Sequence, residues 1–131
     1  MVAGDSGPLS SFSAGGDMDI AMNKYDGKDY PGAARGFEKV LEKTPSDETA
    51  LFYSAVSYLS LGEADKAIAN LDKVLQNKNG KYFDDAQWYL SLAYIKKQDT
   101  QNARKNLQQL QNNSKSRYQK QADATLKEMT K

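Results

Sequence analysis

Two pairs of carboxylates are the side chains in this chain best suited to chemistry: Asp84 with Asp85, and Asp26 with Asp29. Adjacent acids can divide general acid and general base roles, or hold a hard cation. Both pairs have a simpler reading. Asp84, three residues before Gln87, matches a capping box at a helix start. Asp26 and Asp29 flank Gly27-Lys28, where Asp is favoured for local hydrogen bonding in a turn. The 131 residues include no histidine and no cysteine. That excludes thiol nucleophiles, imidazole acid–base chemistry, disulfides and every Cys/His metal site. No phosphate-cradling glycine pattern or nucleophile elbow is present, and Gly15-Gly16 follows no strand. The reading is a non-enzymatic chain with no metal and no cofactor.

Charge narrows the partners. Lys and Arg total 18 against 17 Asp and Glu, a net +1, which excludes a strongly basic nucleic-acid binder or a polybasic membrane anchor. The balance conceals sorting. Residues 1–79 hold 8 basic and 12 acidic groups, −4, and residues 80–131 hold 10 and 5, +5. Such polarity is a solvated drift of helix faces, or a field that orients a partner or favours head-to-tail contact. The longest uncharged run, Thr49–Gly62, has 14 residues and three serines, whereas a spanning helix needs about 20 apolar ones. Direct membrane insertion is not expected.

The elements that position these groups are helical. From Asp17 onward apolar residues recur at helical spacing, and no segment alternates as a half-buried strand does. Residues 1–16, rich in Gly and Ser and lacking a basic or strongly apolar leader, read as a flexible tail or linker. Punctuation divides the rest into seven helices. Asp29 starts a helix that tolerates Pro31, and Pro45 stops it. Gly62 ends a helix over 47–61, and Asp99 caps the helix through Leu110. Ser116 and Gln119 form a second capping box. Short loops make neighbouring helices antiparallel.

Self-comparison exposes a repeat. One unit carries Tyr30, Ala33, Phe37, Val40 and Pro45. The next carries Leu51, Ala55, Tyr58, Gly62, Ala67, Leu71 and Val74. A third carries Trp88, Leu90, Tyr94, Ala103, Leu107 and Leu110. Ala33 and Ala67 lie 34 residues apart, while Ala67 to Ala103 and Tyr58 to Tyr94 are both 36. Small residues at a helix crossing with large ones beside them explain why 15 Ala and 8 Tyr replace much of the usual aliphatic content.

A helix–turn–helix unit of this length and pattern resembles the tetratricopeptide repeat (TPR). The resemblance implies an all-α superhelix of three units, about 17–47, 48–81 and 82–113, closed by a capping helix at 116–130. Unit 1 departs from the pattern with Lys24 where an aromatic is usual, and unit 3 with Ser91 at the small position and Gln98 in place of the turn glycine. The runs 50–75, 84–110 and 116–129 are similar to TPR domains of bacterial envelope proteins, especially of the Bacteroidetes type. This implies a soluble, periplasmic part of a membrane-anchored protein, with a cytoplasmic protein as the other reading.

The first helix of each unit carries two apolar stripes. Leu51, Ala55 and Tyr58 face the second helix, while Phe52, Val56 and Leu59 are rotated by one residue. Trp88, Leu92 and Ile95 repeat that second stripe, and Met18, Met22 and Tyr25 are the unit 1 equivalents. In a TPR superhelix the first helices line the concave face, so the resemblance implies a groove for a peptide or helix, with Phe52 and Trp88 as anchors. The same residues could instead pack between repeats, lie under the N-terminal tail, or form a homodimer or spacer contact. Partner identity stays open. Positions that bind chaperone carboxylate tails in some TPR domains correspond to Met18, Met22, Tyr53, Asp85 and Tyr89 here, so no such clamp is expected.

Overall fold

The computed structural model describes residues 16–131. The expected tail, 1–16, lies outside the described residues except for Gly16. Seven α-helices follow in order: α1 Asp17–Asp26, α2 Tyr30–Lys43, α3 Glu48–Ser60, α4 Ala64–Val74, α5 Phe83–Lys96, α6 Thr100–Gln111 and α7 Gln119–Met129. Each packs on the next, and α1–α3 and α3–α5 also touch. The chain is an α-α array of three hairpins closed by one helix, and its odd-numbered members α1, α3 and α5 lie side by side.

The turn inside each hairpin is the same structure built from different residues. Lys28, Gly62 and Gln98 all take a left-handed backbone, with φ of 63°, 80° and 63°. The next amide reaches back five residues: Asp29 N–H to the Lys24 carbonyl at 2.9 Å, Glu63 to Tyr58 at 2.8 Å and Asp99 to Tyr94 at 2.9 Å. This Schellman arrangement satisfies carbonyls left open at the helix end. The donor residue then begins the following helix. Asp29 accepts from Gly32 N–H at 3.0 Å and Asp99 from Asn102 N–H at 3.2 Å, whereas Glu63 makes no such bond. One acidic residue closes one helix and opens the next, which makes the turn short.

Within a hairpin the helices meet at small residues. Ala21, Ala33, Ala55, Ala67 and Ala103 are fully buried. At the α1–α2 crossing, a Cβ on Gly36 would stand 2.7 Å from the Ala21 Cβ, so the two backbones are as close as their residues permit. Phe37, Leu71, Val74, Leu107 and Leu110 fill the space alongside, also fully buried. Burying each such side chain contributes about 1.5–3 kcal/mol. Tyr58 is buried and Tyr94 half-buried; Pro45 is exposed just past the α2 C-cap Thr44.

Two helix starts differ from expectation. α5 begins at Phe83 with Tyr82 as its N-cap, so Asp84 lies inside the first turn and caps nothing. α7 begins at Gln119 with Tyr118 as N-cap; Ser116 Oγ accepts from Tyr118 N–H at 3.1 Å, and the Gln119 side chain donates to the Gln111 carbonyl. In both places an extra turn precedes the helix and brings a tyrosine to its mouth. Ala122 and Leu126 of α7 cover Leu107 and Leu110, with Tyr118 and Met129 at the margins.

Candidate functional site

The second apolar stripe divides into covered and open parts. Phe52, Val56 and Leu59 are buried, at 6%, 8% and 8% exposure. Phe52 offers no anchor to a partner: Tyr82 lies flat on it, centroids 4.9 Å apart at 13°, and Tyr53 and Tyr89 meet it edge-on at 5.2 and 5.5 Å. Trp88 is half-buried and covered on one face by Tyr118, centroids 5.5 Å apart at 11°. The connector tyrosines thus occupy the faces that the spacing alone leaves for a ligand.

An open cleft of about 420 Å³ remains between the C-terminal halves of α3 and α5. Val56, Leu59, Tyr89, Leu92 and Ile95 line it, and Ser60 and Lys96 stand at its rim. Leu92 and Ile95 are half-buried. The cleft exists because of a difference in size between repeats. Tyr25, 34 residues before Leu59, closes the equivalent gap between α1 and α3 with its ring, 4.9 Å from Tyr53. Leu59 is too short to do the same against Tyr89.

The α1–α3 gap is therefore aromatic. Tyr25 meets Tyr30 edge-on at 5.9 Å and Tyr53 at 4.9 Å; Tyr53 meets Tyr82 at 6.0 Å. Burial pushes the Tyr25 phenol up to about 12, aided by the neighbouring tyrosines and Asp26. Burial likewise raises Tyr53, with Tyr82 and Asp85 adding to it. Met18 and Met22 are half-buried against the Phe37 cluster below. Tyr53, Tyr82 and Tyr89 form part of this surface without being members of either expected stripe. The repeat of Tyr53 at Tyr89, 36 residues on, was the signal available in the sequence.

One member of each carboxylate pair is engaged locally. Asp85 accepts from Arg117 and from Tyr118 Oη, the latter at 2.5 Å. Asp29 caps α2 and pairs with Lys24 at 3.7 Å. Among the described residues no three Asp or Glu side chains gather to hold a metal ion. None of the described helices is long and apolar enough to cross a membrane.

The helical hairpins, their shared turn and their small-residue crossings define an all-α repeat superhelix. The tetratricopeptide repeat model matches residues 49–77 and 85–116. A TPR repeat-containing protein of Methanocaldococcus jannaschii is 40% identical over 63 residues, which cover 48% of this chain and 20% of that protein. The fold is thus that of a TPR superhelix, and such repeats generally serve as non-catalytic mediators of protein–protein interaction.

Proposed function

We propose that the chain is a peptide-binding scaffold module whose ligand lies along the concave side formed by α1, α3 and α5. The observation that carries this is the open apolar cleft of Val56, Leu59, Tyr89, Leu92 and Ile95 between α3 and α5. Half-exposed leucine and isoleucine side chains around a cleft between rigid helices suit the apolar side chain of an amphipathic helix or extended segment. Every lining group sits on a helix, so the site is formed before the ligand arrives, which lowers the cost of ordering.

Selection of peptides from a displayed random library on the wild-type domain provides the test. Selected peptides are expected to lose tenfold or more in affinity on Leu92→Glu, at unchanged helicity, since tenfold is about 1.4 kcal/mol, close to the value of one buried side chain. Equal binding to wild type and Leu92→Glu overturns the reading. A second copy seated in the cleft would appear as a dimer in light scattering that Leu92→Glu dissociates, and would replace the peptide reading by self-association.

A further inference from the structure

Resting on that peptide-binding reading, we propose that the aromatic surface between α1 and α3 receives a cationic side chain, arginine or lysine, of the same ligand whose apolar side chain fills the α3–α5 cleft. Three rings, one each from α1, α2 and α3, converge there, with Tyr25 edge-on to both Tyr30 and Tyr53 at 5.9 and 4.9 Å. All three are half-buried, so each keeps surface for a partner. The face of a phenol ring is electronegative and attracts a cation within about 6 Å of its centroid.

Charge around the rings points the same way. Asp26, the last residue of α1, is exposed and makes no ion pair among those of the described residues. Asp26 is the carboxylate that acts on both the Tyr25 and Tyr53 phenols, whereas Asp85, which also acts on Tyr53, is paired with Arg117. Lys24, close in sequence, is held by Asp29. The cleft has the opposite character, with Lys96 at its rim. Adjacent repeats thus present an electronegative aromatic surface and an apolar cleft edged by a cation. Packed helices stand about 8–10 Å apart, roughly three residues of extended chain. A ligand with a basic residue about three positions from an apolar one meets both.

The test is NMR titration of the wild-type chain with Nα-acetyl-arginine methylamide and, separately, its glutamate counterpart. The arginine probe is expected to shift the Tyr25 and Tyr53 ring resonances saturably. Asp26→Lys, an exposed change at a helix end, is expected to weaken this binding about two- to fivefold or more, the range of one exposed cation–π contact and its counter-ion. Equal shifts from both probes, no shifts, or an Asp26→Lys chain that binds the arginine probe as wild type does would overturn the inference. The cleft is read independently from the Leu92 and Ile95 methyl resonances with a leucine-bearing peptide. Silence there, with the arginine response intact, removes the peptide reading and leaves the cation site standing.

Discussion

Tyr82 lies flat on Phe52, and the same relationship recurs 36 residues later, where Tyr118 lies flat on Trp88. The surroundings recur as well. Lys81 and Arg117 each stand 5.2 Å from the tyrosine ring that follows them. The hydroxyl of Tyr82 accepts from Thr49 at 3.2 Å, and that of Tyr118 donates to Asp85, the residue 36 positions beyond Thr49. The geometry comes from the connectors. Asn77 and Asn113 each accept a backbone amide two residues on, at 3.3 and 3.0 Å, and begin the turn that delivers the tyrosine. Each connector is therefore a latch that fastens the next repeat over the aromatic residue of the last.

Removing the second latch should loosen the C-terminal end. Tyr118→Ala deletes a stacked ring and its bond to Asp85, and is expected to cost about 2–3 kcal/mol in chemical denaturation. Tyr118→Phe keeps the stack and should cost about 1 kcal/mol. The chain has one tryptophan, so red-shifted Trp88 emission in Tyr118→Ala but not in Tyr118→Phe reports the stack directly. Unchanged emission in both would show that Tyr118 does not cover the indole.

Gly36 and Gln98 should show opposite preferences for a side chain at their positions. Gly36→Ala places a Cβ 2.7 Å from the Ala21 Cβ and 3.0 Å from its Cα, so the α1–α2 crossing has to widen. A loss of about 1–3 kcal/mol is expected. Gln98 occupies the left-handed turn that Gly62 occupies one repeat earlier. Gln98→Gly should relieve about 1 kcal/mol of backbone strain, partly offset by a more flexible unfolded chain. Thermal melts that moved the same way for both would contradict this assignment.

The tyrosines set an alkaline limit. Burial raises the phenols of Tyr25 and Tyr118 from 10.0 to about 12. Tyr58 is raised further, by burial and by donating to Glu38. A folded-state pKa above the unfolded value means that the native chain holds its protons longer. The associated stability is complete below pH 10 and is lost as pH rises from 10 towards 12. Absorbance titration of phenolate should show these rings ionising late and together with loss of helical circular dichroism. Ionisation of all eight tyrosines near pH 10 with helicity intact would refute it.

The helices and turns were legible in the sequence because their signals are local. Asp29 and Asp99 cap as expected, Gly62 takes the left-handed turn, and the period alone assigns Gln98 to the same conformation. The groove was less legible. Helical spacing shows that Phe52, Val56 and Leu59 form an apolar stripe, but not what covers it. The cover comes from Tyr82 in a connector, a segment with no periodicity of its own. The capping boxes failed for the same reason: Asp84 and Ser116 have suitable spacing, yet the turns built by Asn77 and Asn113 supply the helix starts instead. What remained open was decided by size, Leu59 standing where unit 1 has Tyr25.

Mapping a library-selected peptide by methyl and ring NMR shifts tests the central claim most directly. Shifts concentrated on Leu59, Tyr89, Leu92 and Ile95, and lost on Leu92→Glu, are the expected result. Shifts centred on the outer helices α4 and α6, or unaltered binding by Leu92→Glu, would contradict a concave peptide site.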